Sequence, residues 1–114
     1  MRIDQFEDII AWQKAKCLTE ETYEHMRGVR DLGFKDQIQR AAVSVMNNIA
    51  EGFERRSNKE FKNFLFIAKG SCGEVRSMLY IADSLKYIDK KQIDLMSALS
   101  VEISKMLSGL IKTL

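Results

Sequence analysis

The chain has 114 residues and a formal net charge of +2. This length is typical of one domain, so we predict a single domain over residues 1–114. The composition, 46% hydrophobic and 30% charged, excludes a disordered chain, and the absence of proline favours uninterrupted helices. No apolar run approaches the ~20 residues that cross a bilayer, and the N-terminus lacks a secretory signal pattern. We expect a soluble, cytoplasmic protein that makes no membrane contact.

Two helices are predicted in the first half of the chain. They run over about residues 6–26 and 34–55, because apolar residues recur in both at steps of three or four. Gly28 is suited to the left-handed position that ends a helix, so we place the break over residues 28–33. The residues predicted to be buried are Ile9, Trp12, Ala15, Leu18, Thr22, Met26, Ile38, Ala41, Ala42, Val45, Ile49 and Phe53.

Two further helices follow, each with an N-terminal capping signal. Ser57 and Glu60 fit a capping box ahead of a helix over residues 58–87, and Asp89 with Gln92 resembles a second box ahead of the last helix. The apolar side chains predicted to share one face are Phe61, Phe64, Leu65, Ala68, Cys72, Val75, Leu79, Ala82, Leu85, Ile93, Met96, Leu99, Ile103, Met106, Leu107, Leu110 and Leu114.

These segments predict an all-α fold, since none shows the alternation of a strand. Helices of similar length joined by short connections pack antiparallel, which gives an up-down-up-down four-helix bundle. Gly70 and Gly73 interrupt the third helix at a cost of about 1 kcal/mol each, tolerated more easily where another backbone packs close. Four apolar residues are expected to stay exposed, which leaves oligomers possible: Val43, Met46, Leu95 and Ile111.

No residue pattern points to catalysis. The one histidine, His25, has Glu21 and Glu24 at the wrong spacing for the Glu-x-x-His pairs of a dimetal bundle, and a solvated side chain is the expectation. Cys17 and Cys72 lack a neighbouring base and are expected to be buried free thiols. We therefore predict a protein that is not an enzyme and needs no cofactor or metal.

Basic side chains of the third helix form a candidate nucleic-acid interface. Lys62, Lys69 and Arg76 are seven residues apart and share one face, with Phe66 and Tyr80 on nearly the same line. Cations interleaved with aromatic rings suit phosphates and stacked bases, although a solvated, lysine-rich face gives the same pattern. The candidate nucleic-acid-binding residues are Arg40, Arg55, Arg56, Lys59, Lys62, Lys69 and Arg76.

Polar residues of the second helix, including Arg40 and Asn47, recur at steps of three or four. They are predicted to form a buried structural cluster, although a partner-binding face explains the same spacing. The members of this cluster, with two residues from neighbouring helices, are Gln13, Ser44, Asn48, Glu51 and Glu74.

Five sequence blocks resemble one known family. They occur in the family's order and span nearly the whole chain: residues 12–15 (WQKA), 37–44 (QIQRAAVS), 48–52 (NIAEG), 57–61 (SNKEF) and 67–71 (IAKGS). These blocks resemble the four-helix-bundle proteins linked to 23S rRNA intervening sequences, which are ribosomal protein S23-like. The chain is also similar to the accessory proteins of diversity-generating retroelements, whose basic pentamer engages a reverse transcriptase and its RNA.

This resemblance implies a bacterial, non-enzymatic four-helix bundle that assembles into homopentamers. The family usually carries a proline in the second helix where Met46 follows Val45 here, so we predict a straighter helix at this point. The leading hypothesis is an oligomeric module that binds RNA or an RNA-associated protein. The alternative is a self-assembling scaffold or protein adaptor that does not bind nucleic acid.

Overall fold

The computed structural model describes residues 2–114, which form four α-helices joined by short loops. Helix α1 spans Ile10–Met26, α2 spans Leu32–Glu54, α3 spans Asn58–Ser84 and α4 spans Lys90–Lys112. No described residue lies in a β-strand, which confirms the all-α class. Within residues 2–114, no helix combines the length and apolarity needed to cross a membrane.

Contacts between helices give the direction of each one. Ser44 of α2 meets Ser71 of α3 at 2.7 Å between hydroxyl oxygens, whereas Gln37, earlier in α2, meets Glu74, later in α3, at 3.3 Å. As residue numbers rise along α2, the numbers of their partners in α3 fall, so the two helices are antiparallel. The same inverse order holds for the contacts of α1 with α2 and of α3 with α4. The chain therefore runs up, down, up and down.

The four helices surround one apolar core. Backbones approach each other between α1 and α2, α2 and α3, α3 and α4, and α4 and α1, while described residues of the diagonal pairs make no such contact. The Lys14 ammonium lies 3.3 Å from the Glu102 carboxylate and joins α1 to α4. Residues with no measurable exposure form the centre of the core: Ala15, Leu18, Met26, Ile38, Ala42, Val45, Ile49, Leu65, Ala68, Cys72, Val75, Ala82, Ile103 and Leu107.

The first helix begins later than its apolar period predicts. Residues Phe6–Asp8 form a short 3-10 turn, and Ile9 then adopts an extended backbone with φ of −75° and ψ of 118° before α1 starts. The turn closes through the Ile9 N–H, which donates to the Phe6 carbonyl at 2.9 Å. Ile9 is nevertheless buried, so the hydrophobic pattern continues across a break in the helix.

Asp31 rather than glycine determines where α2 begins. Its carboxylate accepts the Phe34 backbone N–H at 3.1 Å, so the helix starts at Leu32 and includes Gly33. The predicted left-handed Gly28 is wrong, because no described glycine has a positive φ. A turn in which the Val29 N–H donates to the Met26 carbonyl at 3.0 Å follows α1 instead.

Charged residues occupy the left-handed positions that end the two middle helices. Arg56 follows α2 with φ of 59°, and Lys86 follows α3 with φ of 58°. After α3, the Tyr87 N–H donates to the Ala82 carbonyl and the Lys86 N–H to the Asp83 carbonyl, which is a Schellman motif. This motif ends α3 at Ser84 and corrects the predicted end at Tyr87. A lysine in place of the usual glycine conceals it in the sequence.

Both predicted N-caps are confirmed. Ser57 accepts the Glu60 backbone N–H at 3.4 Å, and Asp89 accepts the Gln92 backbone N–H at 3.1 Å. The Glu60 side chain does not complete the box but lies 3.4 Å from Arg55. Each cap satisfies an N–H that the first helical turn leaves without a partner. The connections before α3 and α4 therefore stay short.

Helix α2 runs without interruption past Val45 and Met46, as predicted. Val45 is fully buried there, while Met46 beside it is half-buried, as is Val43. Leu95 on α4 is 56% exposed, in agreement with the prediction. Ile111 is buried near the end of α4, contrary to prediction, because its position faces the core rather than solvent.

Candidate nucleic-acid interface

One face of α3 carries a regular row of basic and aromatic residues, which we call the α3 stripe. Its six members follow each other at alternating steps of four and three residues, the spacing that keeps side chains on one side of a helix. The α3 stripe consists of Lys62, Phe66, Lys69, Gly73, Arg76 and Tyr80.

The stripe runs along the flank of α3 that borders α4. Asp83, one further step along the same row, accepts a hydrogen bond of 3.2 Å from Lys90 of α4. Cys72 donates through its Sγ to the Ser100 carbonyl of α4 at 3.0 Å, which sets the register of the two helices. The contacts of Cys72 with Ser100 and of Asp83 with Lys90 set an antiparallel register that brings Arg76 to the level of Ser97 and Lys69 to the level of Ser104. Half-buried serines of α4 thus border the basic row.

The three cations of the stripe carry unneutralised charge. Lys62, Lys69 and Arg76 are each half-buried, and none forms an ion pair with a described residue. Burial raises the pKa of the Cys72 thiol to about 11, and the charge of Arg76 opposes that rise. The charge of Arg76 therefore reaches the edge of the core. Such a row is able to attract an anionic chain.

The aromatic members of the stripe point outward. The Phe66 side chain is 54% exposed and that of Tyr80 is 72% exposed, which is more than the other tyrosines. Tyr80 lines a cleft of about 230 Å³ together with Asp83, Asp94 and Lys90, whose ammonium pairs with both carboxylates. Those carboxylates limit the basic region to the part of α3 before residue 83.

The predicted basic residues outside the stripe differ in their surroundings. The Arg40 Nε donates to the Asp36 carboxylate at 2.8 Å, so an adjacent charge neutralises it. Arg55 lies 2.9 Å from Glu51 and 3.4 Å from Glu60, and the hydrogen bond with Glu51 raises the pKa of the guanidinium. Arg40 and Arg55 are therefore less available to phosphates than the stripe cations.

Arg56 and Lys59 lie at the end of the bundle where α2 turns into α3. The Arg56 guanidinium carbon lies 5.5 Å from the centre of the Phe53 ring, and Lys59 is exposed in the first turn of α3. Arg56 also lines an adjacent cavity of about 380 Å³ together with Ser57 and Thr113. None of the residues that line this cavity belongs to the α3 stripe.

The predicted polar cluster divides into separate contacts. Ser44 hydrogen-bonds Ser71 at 2.7 Å, and the Asn48 amide donates to the Ser44 carbonyl at 2.8 Å and to its hydroxyl at 2.9 Å. Gln13 donates instead to the Glu7 carbonyl at 2.9 Å, well apart from this group. The sequence did not identify Ser71, because a serine on α3 joins the cluster only once α2 and α3 are packed.

The two acidic members of that cluster are exposed. Glu51 pairs with Arg55 on its own helix, and Glu74 accepts a hydrogen bond from Gln37 across the surface of α2 and α3. The single buried network is therefore corrected to one half-buried core of Ser44, Asn48 and Ser71 with two surface contacts beside it. None of these groups lies in the α3 stripe.

The histidine and the two cysteines differ in their surroundings. The His25 Nε2 lies 3.0 Å from the Glu21 carboxylate and is half-buried rather than fully solvated. Among residues 2–114, no three His, Cys, Asp or Glu side chains gather into a possible metal site. Cys72 is buried as predicted, but Cys17 is exposed because it lies on the outer side of α1.

An apolar groove follows α4 on the side nearer α1. We call this the α4 groove; its volume is about 620 Å³, and its apolar lining residues, which include Leu95, Leu99 and Met106, stand beside the charged Glu102 and Lys105. Met106 also lines a second depression of about 240 Å³ beside Ile10, which is 52% exposed. Apolar surface therefore extends along much of this side of the bundle.

Comparison with known proteins agrees with the four-helix fold and with the family that the five sequence blocks resemble. The bundle and its basic α3 stripe define a small, all-helical protein with a surface rather than a cleft as its candidate site. The family model described as 23S rRNA-intervening sequence protein matches residues 7–109, and the chain belongs to this family. No curated protein matches the chain.

A solved structure supports the same assignment. The chain is similar to a protein of unknown function from the S23 ribosomal protein family of Bacteroides thetaiotaomicron. The two are 25% identical and superimpose with a TM-score of 0.82, and the match covers 90% of this chain and 96% of the other. The four-helix arrangement is therefore common to both proteins over nearly their full length.

Proposed function

We propose that this protein is a non-catalytic, cytoplasmic module that binds RNA, or a ribonucleoprotein through its RNA, with the α3 stripe. The single observation that carries the proposal is the row of Lys62, Lys69 and Arg76, half-buried and without ion pairs among the described residues. Uncompensated cations in a line match the repeated charge of a phosphate backbone. The family description, which names an rRNA intervening sequence, favours RNA as the polyanion.

The α3 stripe would act as a phosphate track. The three cations recur every seven residues, or about 10 Å along the helix axis. The α4 serines at the level of Lys69 and Arg76 add hydroxyl groups that donate hydrogen bonds to phosphate oxygens. Arg56 and Lys59 extend positive charge past the N-terminus of α3, whereas Arg40 and Arg55 are neutralised by carboxylates.

An RNA titration at two salt concentrations tests this function. Binding is measured by mobility shift at about 50 and 200 mM salt for the wild type and for a variant with Lys62, Lys69 and Arg76 changed to glutamine. We expect the wild type to lose affinity steeply with salt, and the variant to show a slope smaller by about two. Binding that is absent, or independent of salt, contradicts the proposal.

The control for that titration is a variant of equal net charge. It replaces the cations Arg30, Lys91 and Lys112 by glutamine; all three are exposed and lie off the α3 stripe and outside the α4 groove. We expect this control to retain most of the affinity and nearly the full salt slope. If both triple variants lose affinity equally, net charge rather than the α3 stripe drives binding.

A second function, self-assembly through the α4 groove, is supported by a different observation. Leu95 and Ile10 are more than half exposed on one side of the bundle, which is the kind of apolar surface that protein interfaces cover. We propose that copies of the chain associate through this surface into a homo-oligomer, with the pentamer of the resembling proteins as the expected size. Several copies would also repeat the α3 stripe and multiply its charge.

Sedimentation velocity tests self-assembly. We expect the wild type to sediment as an oligomer and Leu95→Asp to shift it toward the monomer, because a buried carboxylate is costly in an interface. Ile67→Asp is the matched control, since Ile67 is 53% exposed and lies on α3 instead. A wild type that is strictly monomeric at all concentrations removes this function.

A further inference from the structure

Phe66 and Tyr80 differ from most other aromatic residues of the protein. The rings of six residues pack edge to face in three pairs, and Phe64 lies under the Arg55 guanidinium. Phe66 and Tyr80 belong to none of these contacts, and both alternate with cations on the α3 stripe. Within residues 2–114, the only other ring outside such contacts is Tyr23 on α1, which is 47% exposed.

Between these two rings, two glycines lie beside the stripe cations Lys69 and Arg76. Gly70 and Gly73 lie between Phe66 and Tyr80, and a Cβ added at either glycine would meet nothing within 4 Å. Packing within the chain therefore does not require glycine at these positions, although glycine disfavours the helix. The two outward rings lie about 21 Å apart along the helix axis, and between them only the two glycine positions, next to Lys69 and Arg76, leave room for a planar group close to the backbone.

Exposed ring faces and unpaired cations together discriminate between forms of RNA. Bases in a duplex are stacked on each other, so their faces cannot reach a protein ring, and the deep major groove of A-form RNA excludes side chains. Bases of a single strand can turn outward and stack on Phe or Tyr while the phosphates meet cations. A single row of cations also follows one strand rather than two.

We propose that the α3 stripe takes unpaired RNA, with bases stacked on Phe66 and Tyr80 and phosphates on Lys62, Lys69 and Arg76. This inference rests on the proposed RNA-binding function and specifies its substrate class. Gly70 and Gly73 leave room for the sugar and base that pass between the two rings. The stripe is thereby a track for a single strand or an open loop, and not a cradle for a helix.

The test compares one RNA sequence in two forms. A labelled, unstructured RNA of about 12 nucleotides is titrated with the full chain by fluorescence anisotropy, alone and annealed to its complement. We expect the single strand to bind at least roughly tenfold more tightly. Phe66→Leu and Tyr80→Leu are each expected to weaken single-strand binding by about fivefold or more without changing the salt slope, since no charge is lost.

Tyr23→Leu is the matched control, because it removes an exposed ring outside the α3 stripe and is expected to leave affinity unchanged. Thermal melting of each variant verifies that the bundle stays folded. Equal or tighter binding of the duplex, or full affinity in both stripe variants, overturns this inference while leaving the phosphate track intact. Failure of the wild type to bind either RNA overturns the inference together with the proposed function.

Discussion

The Tyr87 hydroxyl donates a hydrogen bond of 2.7 Å to the Asp31 carboxylate, joining the loop after α3 to the loop before α2. The same carboxylate caps α2 through the Phe34 N–H. The rings of Phe34 and Tyr87 also pack edge to face, with centroids 5.3 Å apart. One end of the bundle is therefore held by a contact between residues 56 positions apart in the sequence.

This contact predicts an acid-sensitive contribution to stability. The hydrogen bond from Tyr87, then that from the Phe34 N–H, holds the pKa of Asp31 below its ordinary value of 3.8. A lowered pKa stabilises the fold above about pH 4, and this stabilisation is lost as the pH falls through the folded-state pKa. We expect Tyr87→Phe to lower the melting temperature near neutral pH, and the difference from wild type to shrink below about pH 3.

The measurement is thermal melting followed by circular dichroism across the acid range. The pKa of Tyr87 is raised in turn by Asp31, so this residue's contribution is present below pH 10 and lost as the pH rises through the folded-state pKa. Tyr80→Phe is the control, because Tyr80 is exposed and lies far from Asp31. An equal deficit of Tyr87→Phe at all pH values would show that the carboxylate is not its partner.

At Gly52, helix α2 packs closely against helix α3. A Cβ at this position would lie 2.6 Å from the Phe64 Cβ and 3.1 Å from the Phe61 ring, and the Phe64 Cβ cannot move without shifting the backbone of α3. We expect Gly52→Ala to destabilise the bundle by about 1–3 kcal/mol despite the better helix propensity of alanine. Urea denaturation measures this difference. Gly109→Ala in α4 is the control, since its Cβ meets nothing within 4 Å and the change should stabilise.

Replacing Gly70 or Gly73 by alanine is expected to stabilise the bundle, in contrast to Gly52→Ala. With open space around both positions and helical backbone angles, Gly70→Ala and Gly73→Ala are each expected to raise the free energy of unfolding by about 0.5–1 kcal/mol. Urea denaturation of the two variants and of the double variant provides the measurement. A loss of stability on either change contradicts the open surroundings seen here.

The two thiols are predicted to react differently. Cys17 is exposed, whereas Cys72 is buried, donates to the Ser100 carbonyl and has a pKa raised to about 11. Because the thiolate is the reactive form, we expect iodoacetamide at about pH 8 to modify one thiol in the folded protein and both in urea. Intact mass spectrometry counts the adducts, and Cys17→Ser should abolish native labelling. Rapid native labelling in Cys17→Ser would show that α3 opens.

The number of helices, their order and most of their buried residues follow from the sequence alone. Apolar side chains at steps of three and four must share a face, and Ser57 and Asp89 can satisfy helix N–H groups with their own side chains. These are local relationships, so they need no knowledge of what the helices pack against. The row of Lys62, Lys69 and Arg76 follows from the same arithmetic.

Helix ends that depend on distant groups could not be obtained in this way. Lys86 adopts a left-handed conformation that sequence statistics assign to glycine, and the bond from Tyr87 to Asp31 spans two loops. The sequence placed Cys17 and Ile111 on the wrong sides of their helices because a period of 3.6 residues leaves boundary positions undecided until a neighbouring helix covers them.

The candidate site also combines features that the sequence determines with features that depend on packing. The chain sequence determined that three cations and two aromatic rings lie on one side of α3, because seven-residue spacing is a property of the helix itself. The pairs of Arg40 with Asp36 and of Arg55 with Glu51 also follow from helix spacing, because each joins residues four apart on α2, whereas only the tertiary structure brings Glu60 of α3 to Arg55. It also decided that Gly70 and Gly73 face open space, because whether a helix surface is covered depends on the packing of the whole bundle.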